Sequence, residues 1–140
     1  MADYEPLALE QRGPLGPGRS EGVLTTAHRV AYMHQHGPAR TLREMLAQEG
    51  QVMALAGCSG PTLDADDIAY TREVLISYLD ADDMRTCIEC LFGDAAARTL
   101  GFTPRRLSPW AGVALALHDA RARLGTEKPG KCGQIVDFRL

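Results

Sequence analysis

Aromatic residues make up only 6% of this 140-residue chain, with a single tryptophan, and runs of β-branched residues are almost absent. Those residue types cover the pleated surfaces of sheets, so their scarcity argues against a β-rich fold. Alanine, leucine and arginine abound instead, and they favour helices. The chain has no window of 18 apolar residues, so no transmembrane span is expected. It also lacks a basic-then-apolar leader with a cleavage site, which makes a cytoplasmic protein the working expectation. There is no serine elbow, no HExxH and no glycine-rich phosphate loop. With no assembled catalytic constellation, the chain is read as a non-enzyme without a cofactor.

With 45% hydrophobic and 24% charged residues, the chain suits one domain with a modest core. The formal net charge of -3 hides a division. Residues 1–83 hold 6 Lys+Arg against 13 Asp+Glu, whereas residues 84–140 hold 9 against 5. A basic C-terminal half suits nucleic acid and an acidic N-terminal half suits something else. The alternative is two solvated faces that attract each other within one fold.

Four glycines and three prolines fall within residues 1–22, which read as a flexible arm able to order on a partner. From Val23 the pattern turns helical: Thr25 or Thr26 caps a helix with Val30 and Met33 on one side, ended by Gly37-Pro38. A second helix is expected from Pro38 onward, with Leu42, Met45, Leu46, Val52, Met53 and Leu55 as a stripe that Gly50 weakens. The two should form an antiparallel hairpin. Cys58-Ser59-Gly60-Pro61 reads as a turn.

Leu63-Asp64-Ala65-Asp66-Asp67 recurs unchanged as Leu79-Asp80-Ala81-Asp82-Asp83. Calcium binding is rejected, because Ile68 and Met84 occupy the fifth positions where an EF-hand loop needs an oxygen ligand. Helix starts fit better: Asp64 and Asp80 as N-caps, with Asp67 and Asp83 three residues on. The helices that follow carry Ile68, Leu75 and Leu79, then Met84, Ile88 and Leu91, along their apolar faces.

Cys87 and Cys90 form a CxxC pair on the second of these helices. No strand precedes it, so a thioredoxin-like site is not expected. A zinc site would have to recruit Cys58, Cys132 or a distant histidine, so the preferred reading is reduced cysteines packed as small core residues and no metal. His34 and His36 lie at a helix end that favours a cation, and His118 reads as a packing residue beside Asp119.

The stretch 93–125 carries the most specific spacing. Ala97, Gly101 and Leu107 occupy the small-residue, turn and anchor positions of a helix-turn-helix. Thr103-Pro104 would start the recognition helix, with Arg105 and Arg106 outward toward phosphate or guanine edges, and Leu107 and Trp110 inward. Pro109 sits awkwardly inside such a helix. The alternative lets Ser108 cap a helix from Pro109, with Trp110, Val113, Leu117 and Leu124 as its stripe, and leaves Thr103 to Leu107 as a loop with two exposed arginines. The stretch resembles the C-terminal helix-turn-helix of sigma factors and small bacterial or phage transcription regulators. That resemblance implies contact with DNA or RNA polymerase by Arg105 and Arg106. Arg98 and Thr103 complete the candidate nucleic-acid surface. A second window that mimics this spacing one residue tighter at each step, Ala54, Gly57 and Thr62, leads into an acidic segment that phosphate would repel.

Residues 126–140 read as a linker and an extended tail, CGQIVDFRL being one strand able to pair with another copy or a partner's sheet edge. The expectation is an all-α bundle of about five or six helices over residues 23–125. Two functions follow: a small regulator touching DNA or the transcription machinery, or a protein-binding adaptor or inhibitor with no nucleic-acid contact. No membrane association is expected, and homo-oligomerisation is open.

Overall fold

The computed structural model describes residues 17–126, and among them every regular element is helical. The elements are α1 (Pro17–His36), α2 (Leu42–Leu55), α3 (Ala65–Leu75), a 3₁₀ turn (Ile76–Tyr78), α4 (Met84–Thr99) and α5 (Ala111–Thr126). The expected all-α class holds. The segment expected to form a C-terminal strand, and Cys132 with it, lies outside the described residues.

α5 is the axis of the bundle. Ala111 through Leu117 are all buried, as are Asp119 and Ala120, so the helix is covered nearly all round instead of along one stripe. It packs against α2, α3 and α4. Small residues bring the backbones together. A Cβ on Gly50 of α2 would lie 2.5 Å from the Ala116 carbonyl oxygen, and one on Gly112 would lie 2.8 Å from the Cα of Leu91. Gly50, expected to weaken α2, is the point at which α2 meets α5. Leu42, Leu46, Leu75 and Leu115 belong with Ala116 to one buried core cluster.

The helix starts correct several expectations. α1 begins at Pro17, running through Gly18 and Gly22 into the span read as an arm. Thr25 and Thr26 do not cap it; their hydroxyls donate back to the carbonyls of Glu21 and Gly22, the mid-helix habit of these side chains. Its end is as expected, with Gly37 at φ +77° donating to the Met33 carbonyl at 2.8 Å. α2 starts four residues after Pro38 because Thr41 and Glu44 close a capping box.

The repeated pentapeptides take different roles. Asp64 caps α3 by accepting from the Asp67 amide at 2.8 Å. In the second copy the cap is Asp83, which accepts from the Thr86 amide at 2.9 Å, not Asp80. The carbonyls of Leu79 and Ala81 are taken by the amides of Arg43 and Leu42, each at 2.9 Å, so this copy seals the start of α2 before α4 begins. Met84 is consequently at the exposed tip of α4, while Cys87, Cys90 and Leu91 face the core.

Candidate functional site

The loop between α4 and α5 contains the residues expected to read nucleic acid, so its construction decides what they are free to do. It starts from a break in α4. Gly93 has φ +80° and ψ -172°, and a Cβ there would lie 2.9 Å from the Ser108 carbonyl carbon. The break turns Asp94 into the loop's anchor. Its Oδ1 accepts from the amides of Arg105 at 2.8 Å and Leu107 at 2.9 Å, and its own amide donates to the Leu107 carbonyl. Leu107 is thereby driven into the core, as its anchor position predicts. Ser108 donates to Asp67 in the first turn of α3 at 3.2 Å.

Beneath the loop lies Glu89, with a side chain only 2% exposed. Arg105 donates through Nε at 2.9 Å and approaches through Nη2 at 2.8 Å, both to Oε2. Oε1 accepts from Arg85 Nε and from the Thr103 amide, each at 3.2 Å. The Arg105 guanidinium also lies over the Tyr78 ring. A buried carboxylate with this many donors holds its partners in place. Arg105 therefore points into the protein, contrary to the outward position expected, and Thr103 is tied by its amide to Glu89 and by its hydroxyl to Arg85.

Arg98 and Arg106 are placed differently. Arg98 is largely exposed and only loosely paired with Asp94, at 3.8 Å. Arg106 is exposed, has φ +62°, and makes no ion pair among the described residues. Residues 102–109 are not helical. Pro109 precedes a start at Ala111, and Trp110, at φ +60°, is 51% exposed, edge-on to Phe92 instead of packed inward.

The described cysteines are packed in the interior. Cys58, Cys87 and Cys90 are buried free thiols. Burial pushes the Cys90 thiol up to about 12 and also raises those of Cys58 and Cys87. A thiol held protonated is a poor nucleophile and metal ligand. No group of three or more metal-ligating side chains occurs among the described residues. A groove of about 330 Å³ lies between residues 61–63 and α5, with Leu63, Ile68 and Ala114 as walls and His118 and Arg121 at its edge. Arg121 donates to the Cys58 carbonyl, and the exposed His118 lies 3.2 Å from Asp119, itself held by both Arg72 nitrogens. His118 is thus a surface group, not a packing residue.

A different surface emerges on α1. This helix meets α2 in the expected antiparallel hairpin, joined by Arg29 donating to Glu49 at 3.0 and 2.8 Å. Its half-buried side carries Glu21, Thr25, His28, Arg29 and Tyr32. The outward side carries Val23, Leu24, Val30 and Met33, exposed by 60, 45, 64 and 42%. Ala27 lies between them, also exposed. Polar side chains such as Glu21, His28 and Arg29 thus face the protein, while these apolar ones stand outside with the exposed Thr26, His34 and Gln35. Sequence spacing located only Val30 and Met33 of this set, and not the direction in which they point, because the pattern alone does not say whether the covering surface is internal.

Among the described residues, no helix is long and apolar enough to cross a membrane. Comparison with protein-family models, curated proteins and solved structures finds no match to this chain.

Proposed function

We propose that this chain is a small adaptor or regulator that works by binding protein through the outward face of α1. One observation carries the reading: Val23 and Val30 stand exposed on the outer side of a 20-residue helix with Ala27 between them, Leu24 and Met33 are exposed on its two flanks, and the side toward the protein carries Glu21, His28 and Arg29. Exposed apolar side chains spaced in this way are the ordinary mark of a helix-in-groove or helix-on-helix contact. The test compares the wild-type chain with a Val23→Asp/Val30→Asp variant as bait. A partner retained by the wild type, lost by the variant and rebinding when purified supports the reading, provided that the circular dichroism of the two baits agrees. Equal retention by both baits refutes it.

A second reading keeps nucleic acid as the target. Arg98 and Arg106 favour it, being exposed cations at the end of α4 and in the α4–α5 connection, with the flat, exposed ring of Trp110 in the same segment. Such a set offers phosphate contact and stacking rather than groove readout by a recognition helix. Binding to mixed duplex and single-stranded DNA across a salt series tests it. Affinity that falls with salt and with Arg98→Ala/Arg106→Ala supports this reading; no binding at low salt removes it.

A further inference from the structure

The geometry points to the groove between residues 61–63 and α5 as a binding site for a small apolar carboxylate, a ligand with a short hydrocarbon body and one anionic end. The inference stands apart from both readings above, since it uses neither the α1 face nor the α4–α5 connection.

The groove exists because of what α5 carries on one side. Ala114, His118, Arg121 and Ala122 follow at i, i+4, i+7 and i+8, the spacing that keeps side chains on one face of a helix, and all four line it. The two alanines leave open a space that larger side chains would fill. Across from them stand Leu63 and Ile68. Ile68 belongs to the buried core cluster and Leu63 packs against it, so these walls are set by the fold and are in place before any ligand arrives. A volume of about 330 Å³ lies at the lower end of the range in which proteins hold small molecules, about 300 Å³ and upward.

The groups at its edge decide what kind of small molecule fits. No carboxylate lines the groove, and its titratable side chains are Arg121 and His118. Arg121 is exposed and forms no ion pair among the described residues; it commits Nη2 to the Cys58 carbonyl. That bond steadies the guanidinium against the segment that leads into the groove and leaves its other N–H groups to a ligand. Asp119 does not answer this charge. It is buried and accepts from both terminal nitrogens of Arg72, at 2.8 and 2.6 Å. The same carboxylate lies 3.2 Å from His118 Nδ1, which assigns the ring proton to Nδ1 and leaves Nε2 as the nitrogen open to a ligand.

Apolar walls favour hydrocarbon, and an unanswered cation at their edge favours an anion. A carboxylate matches both demands: it is planar, singly charged and suited to the guanidinium fork. A phosphate would bring more charge and more bound water to a site with one arginine and apolar walls.

The test is titration of the full chain, labelled with ¹⁵N, with octanoate and separately with 1-octanol, following the backbone amide resonances. Octanol keeps the hydrocarbon and removes the charge, so this arm needs no change to the protein. Three variants accompany it: Arg121→Gln, Ala122→Phe, which places a ring in the groove from an exposed position, and Arg106→Gln as an exposed cation elsewhere. The expected result is saturable octanoate shifts centred on residues 62, 63, 118, 121 and 122, with octanol at least about tenfold weaker. Arg121→Gln should weaken octanoate by a similar factor, Ala122→Phe should abolish the shifts, and Arg106→Gln should bind as the wild type does. Circular dichroism checks that each variant is folded; should Arg121→Gln fail that check, the octanol arm and Ala122→Phe still decide. Equal affinity for octanol and octanoate would overturn the inference, since the anionic end would then do nothing. It would fall equally if the shifts centred on other residues, or if no saturation appeared at millimolar octanoate.

Discussion

Arg105 and Glu89 form the closest long-range ion pair beneath the α4–α5 loop, 2.8 Å between Nη2 and Oε2, with the carboxylate almost wholly buried. Sixteen residues separate them, and the pair joins the loop to the middle of α4. Glu89→Ala leaves Arg105 partly buried without a counter-ion, and removing one member of such a pair costs about 3 kcal/mol or more. The midpoint of thermal unfolding should fall by about 10 °C. A drop of under about 2 °C would show that the loop is held by other means.

Arg106 is the control for that change. It sits beside Arg105 in sequence but is exposed, with no ion partner among the described residues. Arg106→Ala should alter stability by no more than about 0.5 kcal/mol, measured by urea unfolding, whereas Arg105→Ala should destabilise clearly. Equal effects would contradict the different environments of the two residues.

Gly93 and Gly101 both have positive φ, +80° and +73°, yet substitution should affect them unequally. A Cβ on Gly101 meets open space, so Gly101→Ala carries only the backbone penalty of about 1 kcal/mol. A Cβ on Gly93 drives into the backbone of Ser108 as well. Gly93→Ala should therefore cost at least about 2 kcal/mol more, read from chemical denaturation, and similar losses at both sites would mean that the loop moves aside freely.

Cys90 gives an alkaline signature. Its thiol titrates near 12 in the fold because burial disfavours the thiolate, against an ordinary value of 9.0. The folded value is the higher one, so the contribution to stability is intact below about pH 9 and is lost as pH rises toward 12. Stability should decline across that window, and the decline should shrink in Cys90→Ala after correction for its lower baseline. Below pH 9, alkylation of this thiol should follow global unfolding; rapid modification of the native protein would contradict the burial.

Two capping carboxylates give the acid counterpart. Glu44 is held below its ordinary value by the backbone amides of Arg40 and Thr41, and Asp83 by hydrogen bonds from Thr86. A lowered folded value means stability that is present above the unfolded value and lost as pH falls through the folded one. Unfolding titrations at acid pH should show a loss that Glu44→Gln and Asp83→Asn each diminish. An unchanged acid slope in both variants would show that the caps do not carry it.

Much of this protein was legible in the residues themselves, and for local reasons. The helices, the glycine stop at Gly37, the Asp64 cap and the burial of Leu107 follow from spacing and capping chemistry, which act over three or four residues. Tertiary contacts decided the rest. The second pentapeptide moved its cap from Asp80 to Asp83 because the start of α2 needed the carbonyls of Leu79 and Ala81. Arg105 turned inward because Glu89, distant in sequence, offered a buried carboxylate that Arg106 does not reach. Apolar periodicity placed Val30 and Met33 on one side of α1; the Arg29–Glu49 pairing with α2 holds the polar side inward and leaves both outside, with Val23 and Leu24 also exposed. A helix reports its two faces through its own sequence, but which face is covered depends on the partners that the fold brings to it.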